Sequence, residues 1–487
     1  MLPFKASIKM KTKIFTIITL LFILQTSCKK SFLDQAPLST LSTATFYKTP
    51  ADIDQAVNGV YNTLLAYPDV FYINLSECRS GNFYTPIPAA QRDYYSIASF
   101  TLDPSLAMLQ TAWALGYNTI NRSNLVLQNI APVAFSTEVT RKQYVAECKF
   151  LRAMAYFELV KVFGGVPLLS QTVASDQAIT VKRASVADVY DFITKDLLDA
   201  IPDLPVSYTT TKGKATANSA RAILARVYLT MAGYPLLKKE NYDKARALCE
   251  TIIAQENSNG VKFASNYKDL FNSNNDNTYY LFEVQFISGG LGLGSPIPGE
   301  DLPVDITKSV AAYGAYYIDG VPSTNLVNSY ESSDIRKAAT ISLSYVNTQN
   351  TNITKSYFSK FLEPGKVILN NADWPINFPI IRYEDVLLME AEILNEQAGT
   401  PPVAAIGYLN RIRTRAELVP VNPITTANFR LALENERRHE FAWEGLYWPD
   451  LVRTNRAVPV LNSILPAEYN KTIDINQTIY PIPRSEI

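Results

Sequence analysis

The chain has a single histidine, His439, in 487 residues. A histidine-rich metal site is therefore excluded, and an imidazole-based triad has only one residue to draw on. Cysteine is also scarce. Cys28, Cys78, Cys148 and Cys249 are widely spaced, which fits neither a disulfide framework nor a zinc site. Charge of one sign is not in excess: 45 Lys and Arg face 45 Asp and Glu, so there is no basic surplus for a nucleic-acid backbone. No apolar run reaches the roughly 20 residues that a membrane-spanning helix needs. What is present is ordinary globular composition, 47% hydrophobic and 18% charged, with 29 Tyr and 22 Phe. That excludes wholesale disorder, collagen and coiled coil. At about 100–200 residues per domain, the length allows two to four domains or one large intertwined unit.

Residues 1–27 carry Lys5, Lys9, Lys11 and Lys13 and no acid, then an apolar run from Ile14 to Leu24, then Gln25-Thr26-Ser27-Cys28. A charged start, a short apolar run and small residues before a cysteine describe a secretory signal. They predict a lipoprotein leader over 1–27, with Cys28 as the lipid-bearing first residue of the mature chain. Either Met1 or Met10 can serve as its start. Loss of the leader removes four lysines and leaves a net charge of −4.

Helix signals recur downstream. Thr49-Pro50-Ala51-Asp52 is an N-terminal cap, and Ile53, Val57, Val60 and Leu64 follow at helical spacing. The spacing predicts further helices over about 106–130 and 141–163, the latter stopped by Gly164-Gly165 and Pro167, and from the Ser185-Val186-Ala187-Asp188 capping box to near Pro202. Helices are expected as pairs over 219–233 with 242–253, and 385–396 with 403–416. Pairs of this length resemble tetratricopeptide-type units. Cys148 and Cys249 fall at core-like helix positions. Residues 279–287 read as a strand, with Tyr280, Phe282, Val284 and Phe286 alternating. Gly289–Gly294 reads as a glycine-rich loop, and residues 304–374 are mixed and rich in Asn, Ser, Thr and Tyr. The expected organisation is 28–270 as an N-terminal helical region, 271–378 as a loop-rich, partly β insertion, and 379–487 as a C-terminal helical region closing the scaffold. Long irregular insertions in helical scaffolds are where binding usually resides.

Several blocks resemble the SusD/RagB family of nutrient-binding outer-membrane lipoproteins. They are Cys28-Lys29-Lys30-Ser31-Phe32-Leu33-Asp34 with Pro37; Trp113, Tyr117, Ile120 and Asn121; Glu147 to Ala153 continuing to Tyr156-Phe157; Phe163-Gly164-Gly165-Val166-Pro167-Leu168; Ala222–Leu229; Pro379 to Tyr383; Leu409 to Arg413; and Tyr480-Pro481-Ile482-Pro483 with Glu486. The strongest is Arg437-Arg438-His439-Glu440-Phe441-Ala442-Trp443-Glu444-Gly445 followed by Trp448, Asp450-Leu451 and Arg453. Two features depart from the pattern. The chain stops at Ile487, where the family usually continues, and Lys29-Lys30 stand where some surface-export signals carry acids. The resemblance implies a mainly α, SusD-like fold of tetratricopeptide-like helix pairs. It implies a non-enzymatic role without cofactor or metal: binding a glycan at the cell surface and delivering it to a partner TonB-dependent outer-membrane transporter (SusC-like), with the membrane reached through the lipid anchor and no nucleic acid involved. A peptide- or glycopeptide-binding member, a secreted glycan hydrolase and a peptide-binding helical scaffold remain open at this level.

The charged block Glu434–Arg453 could tempt an assignment of Glu440 and Glu444 as paired catalytic acids, since i and i+4 share a helix face. Neighbouring Arg437, Arg438 and Arg453 argue instead for ionised, structural carboxylates. His439 reads as a hydrogen-bonded structural residue, Trp113, Trp443 and Trp448 as core, and Trp374 as equally core or surface. A sugar site needs aromatic platforms beside amides and carboxylates. Two irregular stretches, 80–95 and 301–328, have that composition. Within them Tyr84, Tyr316 and Tyr317 are the stacking candidates, and Asn82, Arg92 and Asp319 the hydrogen-bonding candidates. The leader generates a direct test: Cys28→Ala should move the protein from the detergent phase to the aqueous phase in a detergent partition, and unchanged partition would refute the anchor.

Overall fold

The computed structural model describes residues 46–86, 92–178, 180–208, 212–275, 278–300, 302–313, 320–423 and 425–487. The leader, Cys28, Tyr316, Tyr317 and Asp319 lie outside them, as does the side chain of Arg92. The unit from Thr49 to Ile487 is described here.

Local sequence sets the helix starts. Helix α1 (Pro50–Tyr61) opens with the expected box, in which the Thr49 hydroxyl accepts from the Asp52 amide at 3.2 Å and the Asp52 carboxylate accepts from the Thr49 amide at 2.8 Å. Helices α2 (Ala107–Asn129) and α3 (Glu138–Phe163) follow, α3 capped by Thr137 and ended at Gly164, whose φ is 71°. Helix α4 (Val186–Ala200) carries the Ser185/Asp188 box, and α5 (Ala217–Ala232) a Thr216/Ser219 box. Then come α6 (Asn241–Ile253), α7 (Tyr383–Ala398), α8 (Val403–Arg415), α9 (Thr426–Glu440) and α10 (Tyr447–Arg453). From α2 to α8, each helix packs on the next. This serial stacking of pairs is the tetratricopeptide-like scaffold read from the sequence. Gly116 on α2 is required by it, since a Cβ there would stand 2.7 Å from the Leu159 side chain on α3.

The strands are short and all antiparallel pairs. They are β1 (Phe83–Tyr84) with β3 (Val321–Pro322), β2 (Tyr280–Val284) with β8 (Phe378–Arg382), β4 (Ile341–Ser342) with β7 (Tyr357–Phe358), and β5 (Tyr345–Val346) with β6 (Asn352–Ile353). The alternation in 279–287 suggests a half-buried strand, yet all five residues of β2 are buried. Leu281 packs inside, and Glu283 is held by the amides of Gln285 and Asn377 at 3.1 Å each. The β2/β8 ladder joins the beginning of the insertion to its end and hands the chain directly to α7. Trp374 is fully buried, with its indole N–H donating to the Asn371 carbonyl at 3.1 Å. The glycine-rich loop is pinned: the Asp373 carboxylate accepts from the amides of Gly289, Gly290 and Leu369 and from the Ser288 hydroxyl.

Cys78, Cys148 and Cys249 are buried, as are Trp113, Trp443 and Trp448. Trp443 stacks on Phe358 of β7 at 3.9 Å and on Phe83 of β1 at 6.4 Å, so one ring links two sheets to the C-terminal helices. Its complete burial is worth about 1.5–3 kcal/mol. The two ends of the unit also meet. Arg79 is fully buried with its guanidinium over the rings of Phe100 at 4.0 Å and Tyr480 at 4.2 Å, and the Tyr480 hydroxyl donates to the Leu75 carbonyl at 2.7 Å.

The charged block is structural, but its partners differ from the sequence expectation. Glu440 and Glu444 do not pair with the arginines beside them. The Glu440 carboxylate meets Arg382 at 2.6 Å, Arg415 at 2.5 Å and Arg336 at 3.1 Å. Glu444 meets Arg382 at 3.0 Å and Lys360. Arg437 turns to Asp385 at 2.6 Å and Asp450 at 2.7 Å, while Arg438 holds the amide oxygens of Asn82 and Asn325. Consecutive helical residues project about 100° apart, so neighbours in sequence serve different faces. Burial alone would raise the Glu440 carboxyl, but Arg415, Arg382 and Arg336 hold it well below the usual carboxylate range. An ionised Glu440 clamped this way is no general acid. His439 shares a hydrogen bond of 2.9 Å with Ser329 and stacks on Tyr330 at 4.3 Å.

Removing one member of a buried ion network typically costs about 3–5 kcal/mol. Arg382→Ala should therefore lower the thermal midpoint in calorimetry markedly. A midpoint equal to the parent's would show that the network contributes nothing to stability.

Candidate functional site

The β1/β3 ladder brings together the two stretches singled out by composition. Phe83 lies opposite Pro322 and Tyr84 opposite Val321. Beyond the ladder, the Ser323 amide donates to the Asn82 carbonyl and the Ser323 hydroxyl to the Gly81 carbonyl, both at 2.7 Å. Arg438 supports the junction from below: its Nε donates to Asn82 Oδ1 at 2.7 Å and its Nη2 to Asn325 Oδ1 at 2.8 Å.

Asn82 must be corrected as a ligand-binding residue. It is fully buried, its Oδ1 taken by Arg438 and its Nδ2 donating to Glu77 at 2.8 Å. Glu77 in turn accepts from the Gly445 amide at 3.0 Å. The amide is spent on tying β1 to the C-terminal helices. Tyr84 is half-buried and its ring lies 5.3 Å from that of Tyr469, which also meets Tyr95 edge-on at 5.6 Å. The Tyr469 hydroxyl accepts from the Thr85 amide at 3.1 Å, which fixes the ring. Arg92 opens the short helix Arg92–Ala98 that carries Tyr95. Tyr316, Tyr317 and Asp319 precede β3 in the chain and lie outside the described residues.

Sequence reasoning counted Asn325 in the 301–328 stretch without choosing it as a candidate, and missed Tyr469 and Glu468. Asn325 is exposed, with its oxygen fixed by Arg438 so that its N–H₂ end is left to the outside. Tyr469 and Glu468 come from the short helix Leu465–Tyr469, nearly four hundred residues after Tyr84. No local pattern could have joined them to β1. One Glu468 carboxylate oxygen is enclosed without a hydrogen-bond partner. Burial pushes this carboxyl up to about 7, opposed by the charge of Arg438. The face therefore combines a three-ring aromatic cluster with an oriented amide and a carboxyl that can either donate or accept near neutrality.

This mainly helical architecture is SusD-like: a laminarin-binding SusD-like protein superposes on it with a TM-score of 0.76 at 25% identity, over 90% of this chain and 97% of that one. Residues 31–229 match the family model described as starch-binding and associating with the outer membrane, and residues 241–487 match that of the SusD family. The chain belongs to the SusD family. Among its relatives, a SusD-like protein of Bacteroides ovatus is 27% identical over 479 residues, covering 92% of this chain and 84% of that protein. The SusD-like protein P38 of Formosa agariphila is 29% identical over 482 residues, covering 90% of each.

A carboxyl whose folded pKa exceeds its unfolded value favours the folded state while protonated, and this contribution is lost as pH rises through the folded value. The parent protein should lose stability between about pH 4.5 and 7 through Glu468. Glu468→Gln should flatten that part of the denaturation-midpoint profile. Superimposable profiles for parent and variant would place the Glu468 titration elsewhere.

Proposed function

We propose that the protein captures oligosaccharide at the cell surface and passes it, chemically unchanged, to a TonB-dependent outer-membrane transporter, with Cys28 as its lipid anchor. The observation that carries this reading is the Tyr84/Tyr95/Tyr469 cluster beside Asn325 and Glu468. Sugar rings present apolar C–H faces and a rim of hydroxyls. Tyrosine faces cover the former at little cost in rotamer entropy, and an oriented amide and a carboxyl pair with the latter. Tyr316, Tyr317, Asp319 and Arg92 belong to the same proposal as further stacking and hydrogen-bonding groups contributed by the segment before β3 and the start of the Tyr95 helix. The ion-clamped Glu440 and Glu444 support binding without turnover. The laminarin-binding relative and the starch-binding family description favour a glycan over a peptide.

Isothermal titration with laminarin, starch and xyloglucan oligosaccharides and with a mixed-peptide control tests it. At least one glycan should bind and emerge intact by chromatography. Tyr84→Ala with Tyr469→Ala should weaken that binding by about 1–3 kcal/mol, the scale of losing a buried aromatic face, with the fold retained by circular dichroism. Binding only to peptides, or cleavage of the glycan, would refute the reading.

A further inference from the structure

A cleft of about 470 Å³ opens where α9 faces α6, α7 and α10. That volume lies within the roughly 300–1,000 Å³ typical of small-molecule sites. Its lining includes none of Tyr84, Tyr95, Asn325, Glu468 and Tyr469. It is built on a face of α9, where Ala427, Arg430, Leu431 and Glu434 recur at helical spacing and line the opening instead of packing into the core. Two guanidinium–carboxylate forks stand on its rim. Arg430 grips Glu396 of α7 with both contacts at 2.6 Å, and Arg456 grips Glu434 at 2.8 and 3.3 Å. In each arginine these bonds use Nε and Nη2. The half-buried ring of Tyr242 also lines the cleft, and burial pushes its hydroxyl up to about 12, with Glu392 and Glu396 adding to the shift.

The floor is rigid. Asp450 is held by Arg437 at 2.7 Å and Arg453 at 2.8 Å, and Arg453 closes on Glu392 at 2.5 and 2.8 Å. Gly233 allows the wall to sit against α10, since a Cβ there would come within 2.3 Å of the Arg453 carbonyl. The Tyr234 amide donates to that same carbonyl at 2.7 Å.

The chemistry of the rim selects the ligand. A bare anion gains little, because each guanidinium is already neutralised by a carboxylate. An apolar molecule would have to strip water from the charged forks. A neutral polyhydroxylated ligand suits both: vicinal hydroxyls donate to the carboxylate lone pairs and accept from the outward guanidinium N–H groups, while its C–H face lies on Tyr242. We propose that this cleft is a second saccharide site, sized for one or two sugar units and separate from the loop-borne aromatic face. The inference rests on the saccharide reading above, and concerns a different place on the molecule.

The test uses the full lipidated chain in detergent, an array of α- and β-glucan, xylan, mannan and pectic oligosaccharides, and calorimetry on each glycan retained. Two cleft variants are compared with the parent. Arg430→Ala with Arg456→Ala disarms the exposed rim, and Leu431→Trp fills the opening from an exposed position. The Tyr84→Ala, Tyr469→Ala variant reports on the other face. The parent should show two binding events for a retained glycan. Each cleft variant should lose one of them, or weaken it at least tenfold, while the tyrosine variant keeps it. If both cleft variants bind every glycan as the parent does, the cleft is not a saccharide site and the aromatic face stands. If the tyrosine variant binds as the parent does while the cleft variants fail, the cleft stands and the aromatic face falls. A parent that binds no glycan on the array overturns both.

Discussion

Glu440 is a charge with no access to water, and the C-terminal half of the molecule is arranged so that it can remain one. Moving a carboxylate out of water costs several kcal/mol even after relaxation. Here that cost is offset by three guanidiniums from three separate places: Arg336 in the insertion, Arg382 at the end of β8 and Arg415 at the end of α8. Each meets a further acid, Asp334, Glu444 and Glu384 respectively, and Glu384 is shared with Arg382 at 3.2 Å. Lys360, also in the insertion, donates to the Glu440 and Ala442 carbonyls and to Glu444. A loop-rich region with few long elements thus acquires a defined seat on the helical scaffold through directional contacts, where apolar packing alone would tolerate sliding.

The scaffold was legible because helices announce themselves locally. Thr49/Asp52, Ser185/Asp188 and the Gly164 stop are written within four residues of where they act. The identity of the charged block as structure was legible too, since dense opposite charges on a helix suggest ion pairs. Which charges pair was not legible. Glu440 reaches 58 residues back to Arg382 and 104 back to Arg336, and no periodicity encodes such distances. The same limit explains Asn82. Its composition-rich surroundings looked like a loop for a ligand, whereas a partner 356 residues away, Arg438, had already claimed its amide.

The aromatic face shows how little backbone regularity is needed to build a surface of this kind. Two residue pairs of ladder align β1 with β3, and side chains do the rest. Arg438 is the shared element. It fixes Asn82 inside and Asn325 outside with one planar group, so the inner frame and the outer amide cannot move independently. A lysine would keep the charge and lose that geometry, because its three donors carry no fixed fork.

The meeting of Arg79 and Leu75 with Tyr480 has a consequence for how the chain is made. The Tyr480 hydroxyl and the carbonyl it donates to are 405 residues apart. At about 5–20 residues per second, the ribosome delivers the second partner roughly 20–80 s after the first. Throughout that interval the Arg79 guanidinium lacks one of the rings that shelter it, and the core around Phe100 and Trp448 stays open. This corner of the N-terminal core is therefore completed only once the C-terminal residues have been made.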